Sequence, residues 1–181
     1  MKEDIKEILF SEEEIKNRVK IVGKKISEDY KGKFPLLVCI LRGAFMFLAD
    51  LVREIEIPMS VDFMAISSYG GRTESTGQVK ILKDLDTPIK GRHVLIVEDI
   101  VDTGLTMDAV TRLLGTRKPA SLKIATLLDK VERRKIPVKV DYYGFRVPNE
   151  FVVGYGLDYE EKYRNLPFIG ILKEEIYKGK E

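Results

Sequence analysis

Apolar residues recur along this chain with two different periods, and the switches between them mark out its elements. Ile15, Val19, Val22 and Ile26 stand three or four apart behind Ser11-Glu12-Glu13-Glu14, a serine followed three positions later by glutamate. That spacing predicts a capped helix over about 12–30, ended by Gly32. Leu36 to Leu41 is a continuous apolar run of strand length, and over 44–55 Phe47, Leu48, Leu51, Val52 and Ile55 share one helical face. Residues 61–67 and Val79–Lys83 read as strands, and 69–78, with almost nothing to bury, reads as a mobile loop between them. Val94, Leu95, Ile96 and Val97 follow the turn Gly91-Arg92-His93 as an unbroken run, expected for a strand buried on both faces near the middle of a sheet. A helix over 105–114 comes next, with Met107, Val110, Leu113 and Leu114 inward and Gly115 and Pro119 as stops, then a buried strand over 122–127. Strands alternating with helices predict the α/β class, a mostly parallel sheet flanked by helices. The last third, 138–143, 151–153 and 168–172, reads as short strands with no long helix between them, and no internal repeat is visible.

Composition narrows the function classes. The 181 residues, 44% hydrophobic and 33% charged, suffice for one domain whose core needs no covalent staple. The one cysteine, Cys39, lies inside an apolar run; this excludes a disulfide framework or a Cys-rich metal site and suits a reducing cytosol. The one histidine, His93, opens a strand and is read as having no catalytic duty, so acid–base chemistry falls to carboxylates or lysines. A formal charge of +2 leaves no general footprint for nucleic acid or an anionic membrane. No apolar stretch nears the roughly 20 residues of a membrane helix, and the first seven residues lack the apolar core of a signal peptide. A cytoplasmic protein with neither nucleic-acid nor membrane partner is expected. The high charge beside three Asn and one Gln hints at heat adaptation, which a melting temperature of about 50 °C would contradict.

Candidate chemistry concentrates after the central strand, where Glu98, Asp99 and Asp102 run into Thr103-Gly104-Leu105-Thr106 at a helix start. Ligands of open α/β sheets bind beyond the carboxyl ends of strands, and a glycine loop leading into a helix turns free N–H groups toward an anion. Thr103 and Thr106 add hydroxyl donors. No Walker motif is present and Gly154-Tyr155-Gly156 lacks a third glycine at 159, so a monophosphate-sized anion fits better than a dinucleotide. Glu98 and Asp99 can accept from a sugar diol, directly or through Mg²⁺, which takes oxygen ligands. Together these residues describe a ribose-phosphate site. The alternative is that acids after a central strand merely cap the next helix, as Asp102 can.

The segment from Val97 to Thr106 resembles the phosphoribosyl-diphosphate motif of the type I phosphoribosyltransferases. Leu41-Arg42-Gly43, Ser68-Tyr69, Leu128-Asp129-Lys130 with Arg134, and 151–159 with Arg164 resemble the hypoxanthine-guanine branch of that family, and the resemblance spans about 5–177. It implies a single domain over 1–181 with the type I fold: a mostly parallel central sheet flanked by helices, a small hood, and a lid loop at about 68–79. It also implies Mg²⁺-dependent purine salvage, in which phosphoribosyl diphosphate and hypoxanthine or guanine give IMP or GMP plus pyrophosphate, in a homodimer or homotetramer.

Residue by residue, Asp102 matches the general base toward the purine ring nitrogen, and Glu98 and Asp99 match the pair at the ribose hydroxyls and metal. Asp102, Thr103, Gly104, Leu105 and Thr106 match the 5′-phosphate loop; Leu105 stands where some relatives carry lysine, leaving backbone and threonine donors to hold the phosphate. Lys130 matches the group at the purine 6-oxo position, where a donor-only ammonium rejects adenine; read alone it is one member of a basic turn. Phe151 matches the ring that stacks on the purine and Val152 the residue whose backbone meets the base edge, although 151–153 also reads as a core strand. Asp158 matches a purine-side acid that binds a second Mg²⁺, or simply forms a turn. Arg42, Gly43, Ser68, Tyr69, Arg134 and Arg164 match the pyrophosphate side, where the loop at Arg42 often carries a cis peptide in the family. Two competitors remain: transfer to another base such as xanthine or a pyrimidine, and a non-catalytic nucleotide-sensing regulator that binds RNA. The near-neutral charge and the lack of an aromatic-studded basic strip weigh against the second.

Overall fold

The computed structural model describes residues 1–68 and 79–178. The expected lid at about 68–79, Tyr69 included, lies outside these residues except at its strand ends. Helix α1 (Glu12–Asp29) starts as its sequence predicts: the Glu14 N–H donates to the Ser11 hydroxyl at 3.3 Å, and the Ser11 N–H donates to the Glu14 carboxylate at 2.8 Å. Such a cap contributes about 1 kcal/mol. Six strands form the main sheet in the order β4 (Val79–Lys83), β3 (Ser60–Ser68), β2 (Leu36–Leu41), β5 (His93–Val101), β6 (Ser121–Asp129) and β7 (Tyr142–Arg146). All neighbours run parallel except β3 and β4.

Continuous apolar runs are needed because β2 and β5 are buried on both faces. Leu37, Cys39, Leu95 and Val97 pack toward α1 and α2 (Phe45–Arg53), while Leu36, Val38, Val94 and Ile96 pack toward α3 (Leu105–Gly115). The chain winds from β2 to β3 on one side and from β5 to β6 on the other. The switch point between β2 and β5 is where such sheets open a crevice at the strand ends.

A second, three-stranded antiparallel sheet joins β1 (Ile5–Phe10), β9 (Ile169–Leu172) and β8 (Val152–Val153), closed by the short helix α4 (Glu174–Tyr177). The sequence reading implied a small hood but assigned no strand at β1, where two register shifts against β9 break the period of two that marks a strand. Strand β7 also starts later than the alternation of Val138 and Val140 predicts. Those two valines pack on the α3-side core outside any ladder, and the Val138 carbonyl accepts from Arg134 Nη1 at 3.2 Å in place of a strand partner. Finally, β5 does not stop at its acids: pairing continues to Val101 opposite Asp129, so Glu98 and Asp99 lie on the strand itself.

Candidate active site

Three chain segments meet at the switch point. β2 ends at Leu41, the Leu41–Arg42 peptide is cis, a feature the sequence left open, and Gly43 lies against the last residues of β5. A Cβ at Gly43 would overlap the Asp99 carboxylate, and one at Gly156 would overlap the Gly43 carbonyl, so both glycines are demanded by close approach. The third segment is locked by Arg164, whose Nη1 donates to the Gly156 carbonyl at 2.7 Å while Nη2 pairs with Asp158 Oδ1 at 2.9 Å. Glu161 adds a carboxylate 3.0 Å from Arg42 Nη1 and 3.8 Å from Arg164 Nη2.

Beside this wall is a hollow of about 160 Å³ lined by Glu98, Asp99, Ile100, Val101, Asp102, Thr103, Gly104, Thr106 and Met107. Gly104, at φ +83, is the N-cap of α3, where a side chain would strike the Ile136 carbonyl. The N-cap supplies no side-chain hydrogen bond; a contact of 3.5 Å from the Leu105 N–H to Thr103 Oγ1 is the nearest substitute. Asp102 therefore does not cap α3, and the helix offers its first turn to the hollow, the arrangement that attracts an anion. Asp102 Oδ1 is buried without a hydrogen-bond partner among the described residues, although Arg133 Nε stands 3.4 Å away. A buried acceptor left in this way is costly in a finished core and marks a place for a ligand's donor.

Burial pushes the Glu98 carboxyl well above the usual range, with the Asp99 charge adding to the effect, and burial raises Asp99 as well. Their local partners are backbone: the Asp99 N–H donates to Glu98 Oε1 at 3.0 Å and the Ile100 N–H to Asp99 Oδ1 at 2.7 Å. On the neighbouring strand end, the Lys130 N–H donates to the Val101 carbonyl at 3.0 Å and Nζ to the Glu150 carbonyl at 2.7 Å. Burial pulls the Lys130 ammonium below its ordinary value, partly offset by the Asp102 charge. Phe151 follows directly, stacked on Tyr177 at 4.8 Å and meeting Tyr159 edge-on at 5.6 Å. The Val152 side chain is core, so its backbone is what it can offer a ligand.

Arg134 is turned into the protein. Its Nε donates to the Asp102 carbonyl and its Nη1 to the Val138 carbonyl, both at 3.2 Å, and its Nη2 pairs with the Asp129 carboxylate. It braces the loop under the hollow, whereas Arg42 and Arg164 converge on Glu161. Both Asp158 oxygens are engaged, one by Arg164 and the other by the Glu161 N–H at 2.9 Å. Among the described residues no three His, Cys, Asp or Glu side chains converge as ready metal ligands. The buried pair Glu98 and Asp99 nevertheless suits a divalent cation that draws its remaining oxygens from water and substrate. His93 sits at the opposite end of β5, with Nδ1 2.8 Å from Ser121 Oγ.

Residues 6–160 match the phosphoribosyl transferase domain family. The chain belongs to that family. It is 54% identical over 177 residues to the hypoxanthine-guanine phosphoribosyltransferase of Streptococcus thermophilus, which covers 98% of each chain. A hypoxanthine phosphoribosyltransferase structure from Staphylococcus aureus superimposes with a TM-score of 0.95 at 52% identity, over 98% of this chain and 96% of that one. A variant of the Trypanosoma cruzi hypoxanthine phosphoribosyltransferase, solved as a ternary substrates complex, follows at a TM-score of 0.91 and 48% identity, over 97% and 99% of the two chains.

Three participants in this phosphoribosyl transferase escape sequence reasoning. The Glu150 carbonyl on Lys130 is backbone and leaves no trace in residue type. Arg133, at Asp102, is one of several cations in a basic turn. Glu161 sits in a tight turn without the Asn-Gly signature that would have flagged it.

Proposed function

We propose that this chain transfers the 5-phosphoribosyl group from phosphoribosyl diphosphate to hypoxanthine or guanine, giving IMP or GMP and pyrophosphate in purine salvage. The observation that carries this reading is the pairing, beside one phosphate-sized hollow, of a buried ammonium at Lys130 with a buried carboxylate oxygen at Asp102 that accepts no hydrogen bond among the described residues. The first selects a 6-oxo acceptor over an amino group, and the second accepts a ring N–H. A buried donor left unpaired by adenine discriminates by about 10⁴ or more.

The 5′-phosphate rests on Asp102, Thr103, Gly104, Leu105 and Thr106, and the ribose hydroxyls meet Glu98 and Asp99. Phe151 stacks on the purine and the Val152 backbone meets its edge. Arg42, Gly43 and Arg164 hold the pyrophosphate, with Ser68 and Tyr69 from the lid segment 68–79, which excludes water from the activated sugar. Arg134 acts there through the loop it braces. As the C1′ bond to pyrophosphate breaks and the purine nitrogen bonds to C1′, Asp102 takes the ring proton. Glu98 and Asp99 are the acids that would hold one Mg²⁺ and Asp158 the acid that would bind a second; the metal when bound neutralises charge growing on the leaving group.

The unit is one domain over 1–181 acting in the cytoplasm; no helix among the described residues is long and apolar enough to cross a membrane. Val61, Phe63 and Leu82, exposed on the β3 and β4 edge, support assembly as a homodimer or homotetramer.

Base consumption with phosphoribosyl diphosphate and Mg²⁺ tests the reading, with hypoxanthine, guanine, xanthine, adenine and orotate in parallel. Turnover of hypoxanthine and guanine with adenine inert is expected, together with a loss of about 10² or more in Asp102→Asn. Binding of the diphosphate without consumption of any base would favour the regulator instead, and RNA binding would then be measured.

A further inference from the structure

Tyr159 and Lys162 exchange both backbone hydrogen bonds, at 3.2 and 3.0 Å, around the pair Glu160 and Glu161. Both glutamates have positive φ, +51° and +62°, as in a two-residue type I′ turn. Those positions favour Asn and Gly, and a glutamate Cβ is strained in each. Strained backbone persists where surrounding contacts over-determine it, and it clusters at functional sites. The contacts here are specific. The Glu161 N–H donates to Asp158 Oδ2 at 2.9 Å, Asp158 is held by Arg164, and the Glu161 carboxylate lies 3.0 Å from Arg42 and 3.8 Å from Arg164.

We infer that Glu161 is a built-in competitor of the pyrophosphate group, its carboxylate taking the anion position between Arg42 and Arg164. The inference rests on the reading that these two arginines hold pyrophosphate. A guanidinium fork presents the same paired donors to a carboxylate as to a phosphate, so one anion displaces the other. Glu161 and Arg42 are 60% and 73% exposed, which makes their pair weak and readily broken. A weak internal anion leaves the site open to phosphoribosyl diphosphate while lowering its apparent affinity. After transfer, its return to the arginines helps expel pyrophosphate. The strained turn keeps that carboxylate at the site without a large structural change.

Glu161→Gln removes the charge with little change of shape. Its Michaelis constant for phosphoribosyl diphosphate and its dissociation constant for inorganic pyrophosphate with Mg²⁺, read by titration calorimetry, are each expected to fall about twofold to fivefold. The Michaelis constant for hypoxanthine should not move. Glu161→Gly, which also relaxes the left-handed backbone, is expected to tighten pyrophosphate binding to the same extent. Unchanged or weaker binding in Glu161→Gln would overturn the inference and make Glu161 an orienting partner of the arginines. Tightening in the glycine variant alone would assign the effect to backbone and overturn it equally. A parent protein that consumes no base would instead defeat the functional reading, whereas an active parent with both variants binding as it does would defeat the competitor alone.

Discussion

Glu98 and Asp99 place two carboxyls side by side at the buried end of β5, and a fold pays for that at neutral pH. Their carboxyls are raised in the native state and return on unfolding to ordinary values of about 4. With the folded pKa above the unfolded one, the folded state binds more protons. The stability tied to these groups is therefore fully present below about pH 4 and is lost as pH rises toward the folded values. Glu98→Gln removes half of the conflict. In EDTA, its stability relative to the parent is expected to grow as pH rises from 5 to 8, reaching about 1 kcal/mol, or about 2–4 °C in melting temperature, while transferase activity falls. A pH-independent difference would mean that the pair is compensated by contacts other than those at its backbone.

At the scale of elements, the phosphate loop is shaped as much by the segment after β6 as by its own residues. Arg134 ties the Asp102 carbonyl, the end of β6 at Asp129 and the chain before β7, and the N–H groups of Lys135 and Ile136 donate to the Thr103 carbonyl at 2.9 and 3.3 Å. Arg134 and Asp129 are 14% and 8% exposed, so removing one strands the other's charge. Arg134→Met is expected to cost about 3–5 kcal/mol by urea denaturation and to raise the Michaelis constant for phosphoribosyl diphosphate more than that for hypoxanthine. Adding Asp129→Asn should recover part of the stability. A loss below about 1 kcal/mol would show that the pair is solvated and the loop held by its backbone alone.

Over the whole molecule, the two sheets divide the chemistry. The parallel sheet carries the sugar-phosphate side, and the hood carries Phe151 next to β8. The hood depends on the chain's first residues: β1 pairs with β9, the Lys173 N–H donates to the Asp4 carbonyl at 2.9 Å, and the Tyr163 hydroxyl donates to Asp4 Oδ2 at 3.0 Å. Removing residues 1–10 is accordingly expected to raise the Michaelis constant for hypoxanthine at least tenfold, an effect of about 1.4 kcal/mol, while inorganic pyrophosphate still binds in calorimetry. Equal loss at both ligands would mean that the hood supports the entire site.

Residue order alone carried α1, α2, α3 and, apart from the bounds of β7, the strands of the main sheet, because each buries a stripe or a run whose period is written locally in Ile15, Val19 and Val22 or in Val94 to Val97. It also carried the segment from Glu98 to Thr106, whose parts are contiguous. It did not carry β1, where bulges erase the period, or the end of β5, where polar residues continue a ladder that pairing with β6 sustains. Nor could it show that Arg134 faces inward or that Glu161 meets Arg42, 119 positions away in the chain. Local periodicity and contiguous motifs need only neighbours in sequence. The direction of a long charged side chain is settled by which distant carbonyl or carboxylate the closed fold brings within reach, and that geometry exists only after the sheets have packed.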